Sequence, residues 1–219
     1  ADPEVRAAAA DSFDAAPAAQ RLYALGPLLS DPVRGVRIAA ARGVSSLPAA
    51  QIDAALRPAF DAALAEYIAA QSVSLDMPGA RLNLAVVHQN TGRHDLAEAH
   101  YLAALKTDPD FTPARANLSQ LYNQTGRNAD AERVLTEGLK RQPAIGELQY
   151  SLGLLLAEEN RLPEAAKALG RAAQLLPERA KVHYNLGLAW QQLGRREPAE
   201  QALLRAQQIP IDELYVERG

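Results

Sequence analysis

Four histidines are the residues in this chain best equipped for metal or acid–base chemistry. His88, His94 and His100 recur at every sixth position, and His183 lies far along the chain. A step of six suits no single helical face, and the set lacks the ligand spacing of a metal site. The carboxylate pairs Asp11/Asp14, Asp108/Asp110 and Glu158-Glu159 fall on expected helix ends or exposed faces, where nothing tunes one of them as an acid. No serine has a His and an Asp in a plausible arrangement, and the phosphate-loop, dinucleotide, zinc-protease and nucleophile-elbow motifs are absent. With no cysteine there is no disulfide, thiolate metal site, catalytic thiol or covalently attached c-type haem. The expectation is no catalytic residue, no metal and no cofactor, hence no enzyme.

The elements that carry these residues are helical. Of 219 residues, 48% are apolar and 45 are alanine, while aromatic residues make up only 5%. Alanine is the strongest helix former, and the β-branched and aromatic strand formers are sparse, which excludes an all-β fold. No apolar run approaches the length of a membrane-spanning helix, so no membrane insertion is expected. A net charge of −3 spread along the chain gives no reason to expect nucleic acid.

From position 78 onward the sequence repeats with period 34. Leu84, Leu118, Leu152 and Leu186 share one column, and Ala97, Ala131, Ala165 and Ala199 another. Gly92, Gly126 and Gly194 form a third with Asn160 in the remaining place; Gly and Asn are the residues that most readily take positive φ at a helix C-terminus. Pro109, Pro143 and Pro177 close three units, and Pro210 closes the fourth one position early. The Leu152-Gly153 and Leu186-Gly187 pairs, the large slot at His88, Tyr122, Leu156 and Trp190, and the later slot at Tyr101, Leu135, Leu169 and Leu203 resemble the tetratricopeptide repeat. Small residues would let paired helices approach, and stability would reside in the stacking of units.

The N-terminal part repeats at 31 instead. Pro17-Ala-Ala-Gln20 returns as Pro48-Ala-Ala-Gln51, and Val5-Arg6 as Val36-Arg37. Asp31-Pro32 followed by Val36-Arg37 and an alanine run resembles a short HEAT-type repeat, with Asp31 as helix N-cap and Pro32 at the first helical position. Ala63, Tyr67 and Ala70 stand one tetratricopeptide period before Ala97, Tyr101 and Ala104, so the two periods merge without a linker. The expected fold is an all-α, right-handed α-solenoid of stacked helical hairpins. Its parts are HEAT-like repeats over 1–60, a transition helix in tetratricopeptide register over 61–77, four units over 78–111, 112–145, 146–179 and 180–213, and a C-terminal stub over 214–219.

The resemblance to tetratricopeptide arrays implies a concave surface, lined by the first helix of each unit, that binds a protein or peptide segment. By register it carries Leu82, Val86, Gln89 and Asn90, then Ala116, Gln120 and Asn123, then Tyr150 and Leu154, and finally Lys181, Tyr184, Leu188 and Gln191. Apolar anchors with amides suit an extended or helical segment, and Tyr150 and Tyr184 are the expected hot spots. Arg93, Arg127, Arg161 and Arg195 form a further column. Their neighbours Asp95, Asp130, Glu164 and Glu197 are expected to neutralise much of it, leaving the cations to favour the end of the preceding helix.

The order of parts also resembles the C-terminal region of bacterial multihaem c-type cytochromes that carry HEAT-like and tetratricopeptide repeats. That resemblance implies a periplasmic setting and a repeat region docking a redox partner or an adjoining domain of its own chain, although no CxxCH is present here. The absence of an initiator Met and of a full N-terminal hairpin leads to the expectation that the native chain extends further. Uncapped ends would expose apolar faces that can stack end to end between copies.

Overall fold

The computed structural model describes residues 2–13 and 16–210, the Asp11 side chain excepted. Among the described residues the regular structure is twelve α-helices and two short 3-10 turns, with no strand. The chain divides between Thr107 and Asp108 into two compact units. Of the sequence expectations, the Asp11/Asp14 pair and the stub over 214–219 lie outside the described residues.

In the second unit the repeat becomes three hairpins. Their first helices are α7 (Thr112–Gln124), α9 (Gly146–Glu158) and α11 (Ala180–Gln192). Their second helices are α8 (Asn128–Arg141), α10 (Leu162–Leu175) and α12 (Arg196–Gln208). Each second helix but the last packs also on the next hairpin, and α7, α9 and α11 touch in sequence. The small-residue columns allow this. Ala131, Ala165 and Ala172 are fully buried. A Cβ placed on Gly153 would lie 2.6 Å from Leu169 Cγ, and one on Gly187 2.6 Å from Leu203 Cγ. The large side chains thus occupy the space that the glycines vacate.

The turns within hairpins follow from backbone chemistry. Gly126, Asn160 and Gly194 have φ of 73°, 59° and 69°. That left-handed residue lets the amide of the next residue reach back five positions: Arg127 N–H to Tyr122 O at 2.7 Å, Arg161 to Leu156 O at 2.8 Å and Arg195 to Trp190 O at 2.9 Å. The last carbonyls of each first helix are satisfied in this way. Arg127, Arg161 and Arg195 then stand as N-caps of the second helices.

The first unit contains α1 (Pro3–Ser12), α2 (Ala18–Leu25), a 3-10 turn at Gly26–Ser30, and α3 (Arg34–Ser45). A second turn at Ala49–Gln51 leads to α4 (Arg57–Ser72), α5 (Pro78–Asn90) and α6 (His94–Thr107). Helix α3 packs against α1, α2, α4 and α5. Their shared core includes Leu25, Leu29, Val44, Phe60, Tyr67 and Val87. α5 and α6 close around Gly92 (φ 75°) with the turn of the second unit. Ala63 and Tyr67 are buried in α4, as Ala97 and Tyr101 are in α6.

One local expectation is corrected. Asp31 does not cap a helix starting at Pro32; α3 begins at Arg34, with extended Val33 at the N-cap and no side-chain cap. The Asp31 carboxylate instead accepts from the Val33 amide at 2.9 Å and from Arg6 Nε at 2.8 Å and Nη2 at 3.0 Å. The pair with α1 holds the aspartate two residues ahead of the Val33 N-cap.

Candidate functional site

All thirteen residues expected to line a binding surface lie on the first helices of hairpins, and none is buried. In the first unit α5 carries Leu82, Val86, Gln89 and Asn90, of which only Asn90 is well exposed. Gln89 is engaged: its side-chain oxygen accepts from the Tyr101 hydroxyl at 2.8 Å. That bond satisfies the one polar atom of a tyrosine otherwise sealed in the core.

In the second unit the adjacent helices α7, α9 and α11 present Ala116, Gln120 and Asn123, then Tyr150 and Leu154, then Lys181, Tyr184, Leu188 and Gln191. Gln120, Lys181, Tyr184 and Gln191 are exposed. Tyr184 leaves 52% of its surface in solvent, a large exposure for an aromatic ring. Tyr150 is placed otherwise. Its hydroxyl accepts from Asn185 Nδ2 at 2.8 Å, the Arg179 guanidinium lies 5.3 Å from its ring centre, and its ring packs on α10 and α11. Burial pushes its hydroxyl pKa up, against the Asn185 hydrogen bond and Arg179. Tyr150 therefore fastens α9 to α11, and only its partner in the sequence reading, Tyr184, stands clear. Asn123 is tied likewise, donating to Glu158 on α9.

Neither cross-helix bond was foreseen. Both span one period plus one position, and that offset is the signal that would have found them. The histidines also hold an unexpected contact: His88 on α5 and His100 on α6 stack with centroids 5.4 Å apart. His88 is 5% exposed, and its Nδ1 is buried without a hydrogen-bond partner. Burial, with Arg93 and His100 adding repulsion, lowers its pKa to about 4. His100 is lowered too, by burial and Arg81. Two rings that both resist a proton make a packing pair. Among the described residues no group of three or more His, Asp or Glu side chains is arranged to hold a metal.

The described acidic pairs and the two middle arginines of the column, Arg127 and Arg161, are engaged within the structure. Glu159 pairs with Arg161 at 3.2 Å, Glu158 accepts from Asn123, and Asp110 pairs with Arg141 at 2.7 Å. Arg161 is surrounded by Glu164, Glu132 and Glu159, which raise its pKa. Arg127 bonds Asp130 at 2.9 Å and lies over the Tyr122 ring. Asp130 is held below the usual carboxylate range by Arg133 and Arg127. At its middle the column is a ladder of ion pairs.

Stacked hairpins with small-residue seams, glycine turns and an exposed first-helix face define a class, the helical-repeat protein, and sequence comparison gives the family. Tetratricopeptide repeat models match residues 49–110, 91–152 and 180–210, and a TPR repeat model matches 153–194. The matches run unbroken from 49 to 210, and over that span the chain is a tetratricopeptide-repeat protein.

Its structural neighbours include several forms of one protein. A crystal structure of MamA is 18% identical with a TM-score of 0.57, covering 71% of this chain and 94% of that one. A second MamA structure is 25% identical with a TM-score of 0.53, covering 60% and 72%. MamA from residue 41 to its end, from Desulfovibrio magneticus RS-1, is 20% identical with a TM-score of 0.53, covering 67% and 81%. No curated protein sequence matches the chain. No helix among the described residues is long and apolar enough to cross a membrane.

Proposed function

We propose that this chain is a non-enzymatic scaffold that binds a segment of a protein partner along the face formed by α7, α9 and α11. The observation that carries the reading is the half-exposed Tyr184, set on α11 with Leu188 and Gln191. An exposed aromatic with aliphatic neighbours and amides can anchor a peptide while answering its backbone groups. The tetratricopeptide family supports protein partners in general. The α5 residues Leu82, Val86 and Asn90 extend the same proposal in the first unit. Tyr150 enters it as the residue that shapes the surface.

A HEAT-like reading of residues 1–60, which the tetratricopeptide match overlaps from residue 49, is part of the proposal. The starts of α1 and α3 are offset by 31, and so are the prolines that precede α2 and the second 3-10 turn. Arg6 pairs with Asp31 and Arg37, its counterpart, with Glu66 at 2.8 Å. The redox-arm alternative finds no supporting feature among these observations.

The test is site-directed photocrosslinking in native extract. A benzoylphenylalanine replacing Tyr184 is expected to give a polypeptide adduct, while the same probe at exposed Lys167 on α10 gives none. An adduct with a second copy would identify self-association as the use of the surface. Equal labelling from both positions would overturn the assignment.

A further inference from the structure

The first unit holds a cleft of about 400 Å³, within the range of small-ligand pockets. Leu47, Ile52, Phe60, Leu64 and Ile68 form its apolar part, and Arg57, Asp61, Asn90, Thr91 and Arg93 its polar part. Arg57, Asp61, Leu64 and Ile68 recur at intervals of three and four and so share one face of α4. The short link to α5 makes that helix antiparallel to α4, which brings the turn at 90–93 beside the Arg57 end. The Arg57 end therefore brings polar groups together beside Phe60, and Leu64 and Ile68 continue the α4 wall away from it.

The two arginines are not consumed as Arg127 and Arg161 of the second unit are. Arg57 Nη2 donates to the Ala49 carbonyl at 2.7 Å and Arg93 Nε to the Thr91 hydroxyl at 3.1 Å. Among the described residues neither forms an ion pair, although Asp61 lines the same cleft. Two cations against one carboxylate leave the polar end positive, next to an amide and a hydroxyl. Guanidinium groups with spare N–H donors match the two oxygens of a carboxylate.

We infer that the cleft binds a carboxylate carrying a branched aliphatic group, the carboxylate at Arg57 and Arg93 and the aliphatic part over Leu64 and Ile68. Two sources share that chemistry: a free small acid, and the terminal residue of a polypeptide. The site shares Asn90 with the α5 part of the proposed partner surface, but its arginines and apolar wall lie on other elements and it does not depend on the function proposed for the α7–α9–α11 face.

Calorimetric titration of the full chain tests the inference with 4-methylpentanoate and with an acetyl-Gly-Gly-Leu peptide. Each is run beside its neutral amide. Saturable 1:1 binding of either acid, weakened at least tenfold in its amide, is expected; binding of the peptide alone assigns a polypeptide terminus as the source. Arg93→Gln should weaken it about tenfold and Asp61→Asn should tighten it, while Ala65→Phe, which fills the cleft from an exposed position, should abolish it. Circular dichroism confirms that each variant is folded. No binding of either acid, equal binding of acid and amide, or full affinity in folded Ala65→Phe would overturn the assignment.

Discussion

The three hairpins of the second unit and the N-terminal half of the first are both alanine-rich helices, yet they are held together differently. In the second unit the seam contacts and turn bonds recur one repeat later. Because the neighbour always arrives at the same height, a glycine or alanine can face it with almost no gap, as Gly153 faces Leu169 and Gly187 faces Leu203. In the first unit the period lengthens between α3 and α5, from that of the N-terminal part to that of the hairpins, and the heights no longer agree. Larger side chains fill the mismatch: Leu25, Leu29, Phe60 and Tyr67 around α3. Polar cross-links join them, with Arg6 on Asp31, Arg37 on Glu66, and buried Arg21 on the carbonyls of Ala16 and Gly43. The cleft opens where the packing is least regular. Strict repetition favours tight seams, and a change of period leaves room for a ligand.

The sharpest way to break this contrast is to fill a seam. Gly153→Val should destabilise the second unit by about 3 kcal/mol, because Leu169 Cγ and the Leu169 backbone nitrogen both lie in the way. Gly170→Ala, in the same hairpin but facing nothing within 4 Å, should stabilise by about 0.5–1 kcal/mol by removing backbone freedom. Thermal unfolding of the two variants reads both. Equal midpoints would mean that the seams carry no packing strain.

Mild acid, between pH 6.5 and 4, should act mainly on the first unit. His88 is neutral when folded, with its pKa lowered from 6.5 to about 4. Its contribution is therefore complete above the unfolded value and is lost as the pH falls from 6.5 through 4, by roughly 2–3 kcal/mol at the lower limit once screening by nearby solvent is allowed for. His88→Phe should flatten the stability profile in that window. Asp31 is also lowered, by Arg6 and then the Val33 amide. Its contribution holds above the ordinary carboxylate pKa and is lost as the pH falls below it, so Asp31→Asn should change the profile only in stronger acid. Urea midpoints taken between pH 7 and 3 separate the two windows. A profile of His88→Phe parallel to the wild type would remove the histidine stack from the account.

What was legible in the sequence follows the same division. The leucine and alanine columns at 84, 118, 152 and 186 and at 97, 131, 165 and 199 placed helical hairpins, because a residue repeated at constant spacing must meet the same neighbour each time. The face carrying Tyr184 followed from that register. The role of Tyr150 did not, because its bond to Asn185 crosses to the next hairpin at one position beyond the period. The His88–His100 stack joins two helices with no shared column, and Asp31 was misread because its partner Arg6 lies on α1, far upstream. The cleft is assembled from the end of α3, a 3-10 turn, α4 and the end of α5, which no single pattern links.

The smallest expected effect tests the turns that the regular region depends on. Asn160 alone among the described non-glycine residues has positive φ, where the other three turns place Gly92, Gly126 and Gly194. The left-handed conformation costs a residue with a Cβ up to about 1–2 kcal/mol, and Asn less than most because its short polar side chain bonds locally. Asn160→Gly should then raise stability by a few tenths of a kcal/mol, and Asn160→Val should lower it by about 1–2 kcal/mol. Gly126→Asn, the reciprocal change one unit earlier, should cost what Asn160→Gly recovers. Equal and opposite shifts in urea midpoint would show that the turns are interchangeable parts of one period. Unequal shifts would mean that the bonds of Arg161 to Glu132, Glu159 and Glu164 have made the Asn160 turn a special case.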